Sequence, residues 1–140
     1  MKIGFLTDKN GYRAPIHPES IEKYSLDVHL EKDIFEYLKY SESIQNNVKT
    51  ISKVSDLDIV ACVENIEDKK IEDLKEGAIL IGIFDFKKIE EIKNLRPDIK
   101  ILSFFKLPRI SRAQNLDALS SQANLLGYAS VLRAAKETSD

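Results

Sequence analysis

The sequence contains one cysteine, two histidines and no tryptophan, which leaves several kinds of site without their usual residues. The single cysteine, Cys62, excludes an internal disulfide bond and argues against a thiolate-rich zinc site. No apolar run reaches the roughly 18 residues of a transmembrane helix, and no apolar signal-peptide region opens the chain. These absences predict a cytoplasmic protein.

An excess of charge of either sign is also missing. The 21 Lys and Arg residues nearly balance 23 Asp and Glu residues, for a formal net charge of -2, which argues against nucleic acid or an anionic membrane as the main partner. The chain has 140 residues, of which 43% are hydrophobic and 31% charged. This composition predicts one folded domain over residues 1–140.

Glycine is scarce as well, and its spacing excludes two kinds of phosphate site. The sequence has five glycines, and none of them falls into a G-x-G-x-x-G turn or a P-loop. The chain therefore lacks the phosphate-binding turns of those kinds, and an α/β fold alone does not make it a cofactor-binding domain.

Short apolar runs alternate with helical patterns along the chain. This alternation predicts a flavodoxin-like or Rossmann-like α/β fold, with a parallel sheet, helices on both faces and a long C-terminal helix. Residues 41–55 give no clear prediction. The predicted strands are Lys2–Leu6, Asp27–Glu31, Asp58–Val63, Ala78–Phe84 and Ile99–Phe105, and the predicted helices are Pro18–Tyr24, Asp33–Tyr40, a short one around Ile71 and Leu74, Ile89–Leu95 and Leu116–Lys136.

The residues most often used in catalysis carry weak signals here. His17 stands where a helix cap belongs and His29 alternates within a strand, so we expect structural or surface roles for both. Cys62 lies within an apolar strand, which favours a buried, inert thiol.

A basic segment follows the last predicted strand. Between Ile99 and Leu116 there are four basic residues and no acid, at the carboxyl end of a strand, where α/β sheets bind ligands. This pattern favours a site for an anionic or amide-bearing ligand. A structural interpretation is equally open, since Ser111 and Gln114 have capping-box spacing and Asp117 suits a first helical turn.

Residues 108–128, PRISRAQNLDALSSQANLLGY, resemble a motif of the α subunit of proton-translocating NAD(P) transhydrogenase, in the alanine dehydrogenase/transhydrogenase family. The opening KIGFLTDKNGYRAPIHPESIEKY and the middle DIVACVENIEDKKIEDLKEGAILIGIF are similar to the first domain of that family. The resemblance spans nearly the whole chain and is weakest around residues 41–55.

The resemblance implies roles for five residues. Arg109, Gln114, Asp117 and Ser120 match residues that reach the nicotinamide end of NAD(H). Gln114 would orient the ring for hydride transfer to NADP, supported by Asp117 and Ser120, and Arg109 would hold the nicotinamide region. Arg13 matches an arginine that binds the substrate carboxylate in alanine dehydrogenases.

The resemblance also implies cofactors and partners. NAD(H) and NADP(H) would be used only with partner domains, namely a Rossmann NAD-binding domain and an NADP-binding membrane subunit, and no metal is implied. We expect a homo-oligomer that is inactive alone, in the cytoplasm or at the cytoplasmic face of the inner membrane through its partners.

Two departures weigh against alanine dehydrogenase activity. Cys62 stands near the position of the substrate-binding lysine of those enzymes, and Asp85 stands near that of their catalytic histidine. In the family, the long helix leads to a Rossmann domain, whereas this sequence ends at Asp140. Two alternatives remain: a stand-alone binding or regulatory module, and a fragment of an alanine or opine dehydrogenase.

Overall fold

The computed structural model describes residues 1–8, 13–23, 27–34, 48–108 and 110–137. Its contacts divide the chain into a first unit, Met1–Ser103, and a second unit, Phe104–Asp140. The single domain expected over residues 1–140 stays a prediction.

The first unit is built on a six-stranded parallel sheet in the order β3-β2-β1-β4-β5-β6. Strands β2 and β3 lie on one side of β1, and strands β4, β5 and β6 follow in order on its other side. The carboxyl ends of β1 and β4 therefore form the switch point at which open α/β sheets bind ligands. The strands are β1 (Lys2–Phe5), β2 (Asp27–Leu30), β3 (Lys49–Thr50), β4 (Ile59–Ala61), β5 (Ile79–Gly82) and β6 (Lys100–Ser103).

Three α-helices have defined bounds in the described part of the first unit: α1 (Pro18–Lys23), α2 (Asp68–Glu72) and α3 (Phe86–Leu95). Helix α3 begins where the Asp85 carboxylate accepts a hydrogen bond from the Lys88 N–H at 2.7 Å, which satisfies a free amide of the first turn. It ends directly before Arg96 and Pro97, since proline disfavours helical geometry in the residue that precedes it.

Buried side chains cover both faces of the sheet. Gly4, Val60 and Leu80 lie side by side in adjacent strands, and the latter two belong to one core cluster. Phe5 and Leu30 pair with each other and belong to a second cluster. Because successive residues of a strand point to opposite faces, the two clusters lie on opposite sides of the sheet. Helices α2 and α3 contribute to the first cluster and α1 to the second, through Ile71, Ile89, Ile92 and Ile21.

The second unit contains a 3₁₀ helix, Ser111–Leu116, and the long helix α4, Ala118–Glu137. The predicted start of α4 at Leu116 is wrong by two residues, because residues up to Leu116 form the tighter helix. Helix α4 is exposed along its described side chains, with Leu125 and Leu132 at 71% and 55% of their full accessible surface.

The predicted fold class is confirmed, and the five predicted strands are present with shorter bounds. The sequence analysis missed β3, which has two residues and lies in the stretch without a clear prediction. Of the predicted helix Asp33–Tyr40, only Asp33 and Ile34 lie among the described residues, and both are helical.

Arg96 joins the end of α2 to the region after α3. Its Nη1 donates to the carbonyl oxygens of Ile71, Glu72 and Leu74 at 3.3, 2.6 and 2.6 Å, at a helix end, where carbonyls lack the regular hydrogen bonds of the helix interior. Its Nε and Nη2 donate to the Asp98 carboxylate, both at 2.8 Å. The guanidinium holds the pKa of Asp98 well below its usual range.

Replacing Arg96 with alanine is expected to lower the free energy of unfolding by about 2–3 kcal/mol, because charge-assisted hydrogen bonds to several carbonyls are lost together. Urea denaturation followed by circular dichroism measures this. Lys93→Ala, which removes an exposed cation from the last turn of α3, serves as the control and should change stability by less than about 0.5 kcal/mol. Equal effects of the two substitutions would contradict the role assigned to Arg96.

Candidate functional site

The switch point brings together residues that follow β1 and β4. Leu6 N–H donates to the Ala61 carbonyl at 2.8 Å, so the pairing of the two strands extends past the end of β1. Asp8 lies in the segment that follows β1, and Glu64 lies in the segment that follows β4. The Asp8 N–H donates to the Arg13 carbonyl at 3.4 Å, which brings Arg13 back to the same place. We call Asp8, Arg13 and Glu64 the switch-point triad.

Arg13 is held by two carboxylates. Its Nη1 and Nη2 donate to the two carboxylate oxygens of Glu64 at 3.2 and 2.9 Å, and Nη2 also donates to Asp8 Oδ2 at 2.8 Å. The hydrogen bond with Glu64 is the main reason that the pKa of Arg13 is raised, and Asp8 adds to it. The guanidinium is therefore permanently charged and already paired.

The two acids differ in their exposure to solvent. The Asp8 side chain is 2% exposed, whereas those of Glu64 and Arg13 are 40% and 41% exposed. Among the residues that the structure describes, no donor reaches Asp8 Oδ1, which is buried. A buried carboxylate oxygen without a donor is costly, so this point of the site is suited to a further hydrogen-bond donor.

Thr7, Glu31 and Lys70 form a second ionic group beside the first, after β1 and β2. Glu31 accepts hydrogen bonds from the Thr7 N–H and hydroxyl at 2.8 and 2.6 Å and pairs with Lys70 at 2.5 Å. Burial opposes ionisation of Glu31, but the hydrogen bonds from Lys70 and Thr7 outweigh it, so the pKa of Glu31 is lowered.

The lowered pKa of Glu31 predicts an acid dependence of stability. The pKa of Glu31 is lower in the folded chain than its ordinary value of about 4.5. Glu31 therefore stabilises the fold when the pH is above that ordinary pKa, and the contribution is lost as the pH falls through the pKa of the folded state. The difference in unfolding free energy between the wild type and Glu31→Gln is therefore expected to be larger at pH 6 than at pH 3. Urea denaturation at pH 6 and pH 3 measures this difference in unfolding free energy. Glu90→Gln, a substitution of an exposed residue, is the control. A difference independent of pH would contradict the assignment.

Cys62 is buried within the first core cluster. Burial raises the pKa of its thiol to about 12, with a further contribution from the Asp8 carboxylate. Only a thiolate is a good nucleophile. The geometry therefore agrees with the inert thiol that the sequence predicted, and gives Cys62 no role as a nucleophile.

The thiol of Cys62 is expected to react with a disulfide reagent such as DTNB at least about a hundredfold more slowly in the native protein at pH 8 than in urea, because it is buried and uncharged. Both rates are measured from the increase in absorbance as the reagent's coloured thiolate is released. Fast stoichiometric reaction of the native chain would show that Cys62 is accessible and ionised.

The residues that the resemblance assigned to nicotinamide binding lie in the second unit. Arg109 is outside the described residues. Gln114 lies on the 3₁₀ helix with an exposed side chain. The Asp117 carboxylate accepts hydrogen bonds from the Ser120 N–H at 3.0 Å and the Ser120 hydroxyl at 2.6 Å, so these two residues are brought together.

The structure tests the interpretation of this segment as a helix cap. The residue before the 3₁₀ helix is Ile110, and no side chain caps that end, so the predicted capping box of Ser111 and Gln114 is wrong. Asp117 instead caps the start of α4 through Ser120. Gln114 is left without a structural explanation, whereas Asp117 and Ser120 have one.

The sequence analysis missed Asp8 and Glu64 as partners of Arg13. The available signal was that each acid comes three residues after a strand, and that the two strands are neighbours in the order typical of a Rossmann sheet. His29, by contrast, contacts Asp27 at 3.1 Å and His17 is exposed, in accord with the structural and surface roles expected for them.

Two further features concern metals and membranes. Within the described ranges, no group of three or more His, Cys, Asp or Glu side chains is arranged to hold a metal ion. None of the helices described combines the length and the apolar character needed to cross a membrane.

Comparison with known proteins gives curated relatives that match most of this chain. NAD(P) transhydrogenase subunit alpha of Haemophilus influenzae is 35% identical over 139 aligned residues, covering 92% of this chain and 27% of that protein. The first part of NAD(P) transhydrogenase subunit alpha of Rickettsia prowazekii is 35% identical over 151 aligned positions, covering 96% and 39%. The chain thus spans between about a quarter and two-fifths of the length of these relatives. No protein-family model matches it.

Solved structures agree. The crystal structure of transhydrogenase from Sinorhizobium meliloti has a TM-score of 0.83 at 26% identity and covers 98% of this chain and 45% of that one. An L-alanine dehydrogenase has a TM-score of 0.61 at 15% identity, with 79% and 35% covered, which is a likeness of fold alone. The resemblance stated from the sequence is confirmed.

Proposed function

This chain is a homologue of the NAD(P) transhydrogenase alpha subunit over most of its length, and we propose from that premise that it supplies the nicotinamide-facing wall of a composite site for hydride transfer between NAD(H) and NADP(H). Because the chain spans less than half the length of those relatives, the proposed activity also needs counterparts of the remaining length of those relatives. By this proposal, the chain alone is inactive.

The observation that carries the proposal is the exposed side chain of Gln114 in the motif of residues 108–128. Among the described residues, Gln114 makes no side-chain hydrogen bond that would explain its presence, and its amide is free to meet a ligand. An amide carries both donors and an acceptor, which suits the carboxamide of a nicotinamide ring. Gln114 is the residue to which we assign ring orientation.

Asp117 and Ser120 act in support. Their hydrogen bonds hold the start of α4 and so fix the turn that precedes it, which includes Gln114. Arg109 completes the proposed set through its guanidinium. Hydride transfer between two nicotinamide rings needs their approximation and orientation and no covalent step by the protein, so positioning side chains are sufficient.

The proposed partners would supply phosphate binding, because this sequence has neither a G-x-G-x-x-G turn nor a P-loop. A Rossmann domain with a glycine-rich turn would bind the pyrophosphate of NAD(H), and a second subunit would bind NADP(H). We also propose that the chain forms a homo-oligomer, since Leu125 and Leu132 of α4 are exposed and exposed apolar side chains on one element favour association. Membrane attachment, if present, would come through the partner subunits.

Gln114→Ala is expected to slow hydride transfer by about tenfold or more while NADH affinity changes by less than about tenfold, or 1.4 kcal/mol. The reason is that cofactor affinity would reside in the phosphate-binding partner, whereas Gln114 acts on the orientation of the ring. The measurement is single-turnover hydride transfer in a mixture of this chain with a Rossmann partner domain and an NADP-binding subunit taken from a transhydrogenase.

Gln122→Ala, which removes an exposed amide from α4, is the matched control and should leave the rate unchanged. Because no side chain caps the 3₁₀ helix that contains Gln114, the melting temperature of Gln114→Ala should also match the wild type. An unchanged rate with a lowered melting temperature would assign Gln114 to structure and remove it from the site.

A further inference from the structure

The switch-point triad contains an arginine whose anion-binding edge is filled by a carboxylate of the same chain. Glu64 engages Arg13 at two points, with one oxygen on Nη1 at 3.2 Å and the other on Nη2 at 2.9 Å. This is the paired geometry in which a guanidinium binds the carboxylate of a ligand. The Glu64 carboxylate therefore occupies the position at which a free carboxylate would bind to Arg13.

We propose that Glu64 is a tethered carboxylate that occupies the anion site of Arg13 and excludes small free carboxylates from the switch point. The proposal goes beyond the hydride-transfer function, because it concerns the first unit only and requires no nucleotide. Glu64 would then determine whether small carboxylates can bind at the switch point.

The two acids of the triad have different tasks. Asp8 contacts Arg13 through one oxygen at 2.8 Å, its side chain is almost fully buried, and its backbone N–H is bonded to the Arg13 carbonyl. Asp8 therefore anchors the guanidinium from within. Glu64 and Arg13 are about two-fifths exposed, so Glu64 covers the edge that faces water and is the partner that another carboxylate would displace.

Charge explains why displacement is difficult in the wild type. Two carboxylates share one guanidinium, so the triad carries a net charge of about -1 and repels a further anion. A tethered group also competes as if it were present at millimolar concentration. Without Glu64, the Asp8–Arg13 pair is neutral overall, and no other residue in the described part of the chain accepts from Nη1.

The test uses acetate as the probe and the chain as it exists. Proton–nitrogen NMR of the Arg13 guanidinium and the backbone, at constant ionic strength, follows acetate binding to the wild type, Glu64→Ala and Glu64→Gln. We expect both variants to bind acetate about tenfold or more tightly than the wild type, since the competing tethered carboxylate is removed. Acetamide, which is similar in size and uncharged, should not bind.

Two controls make the result specific to the triad. Glu67→Ala changes the net charge as Glu64→Ala does but removes an exposed carboxylate at the start of α2, and its acetate affinity should match the wild type. Adding Arg13→Gln to Glu64→Ala should abolish the gain. Equal gains in Glu64→Ala and Glu67→Ala would reduce the effect to overall charge and overturn the proposal.

Folding is checked on each variant by its backbone spectrum and melting temperature. A folded Glu64→Ala or Glu64→Gln with wild-type acetate affinity overturns the proposal. Failure of both variants to fold overturns it too, because Glu64 would then be needed for the structure. None of these outcomes bears on Gln114 or on hydride transfer, so the two proposals fail separately.

Discussion

The parallel pairing of β1 with β4 is the constraint on which the first unit depends. It joins the two halves of the sheet, separates the two core clusters by the alternation of side chains along each strand, and brings the segments after both strands to one edge. Arg13 and Glu64 are 51 residues apart in the chain, and only this pairing makes them neighbours. The switch point is therefore a product of strand order and not of any local motif.

Among the described residues of the two ionic groups at that edge, each cation is paired with an acid, and the acids outnumber the cations by three to two. Arg13 is paired with two acids, and Lys70 is paired with Glu31. Such pairs stabilise the fold only when their hydrogen bonds compensate for lost hydration. The lowered pKa of Glu31 indicates that the compensation is favourable there. By our proposal, this excess of acid makes the switch point of this chain a poor receptor for anions as long as Glu64 remains in place.

The second unit separates two explanations that the sequence left open. Capping accounts for Asp117 and Ser120, because their hydrogen bonds satisfy the free amide and hydroxyl at the start of α4. It does not account for Gln114, whose exposed amide has no such task. A residue type that neither packing nor backbone chemistry requires is the better candidate for contact with a ligand. The proposal of nicotinamide positioning is therefore assigned first to Gln114.

The sequence by itself determined the fold class and the positions of five strands, because hydrophobic periodicity is a local property that does not depend on the partners of each strand. It also predicted the resemblance to the NAD(P) transhydrogenase alpha subunit, through the motif of residues 108–128, and the comparisons confirm that resemblance. Tertiary structure alone decided the strand order, the two-residue strand β3 and the triad around Arg13. Each of these depends on contacts between segments far apart in the chain, and local periodicity carries no information about which distant carboxylate, Glu64 among 23 acidic residues, reaches the guanidinium.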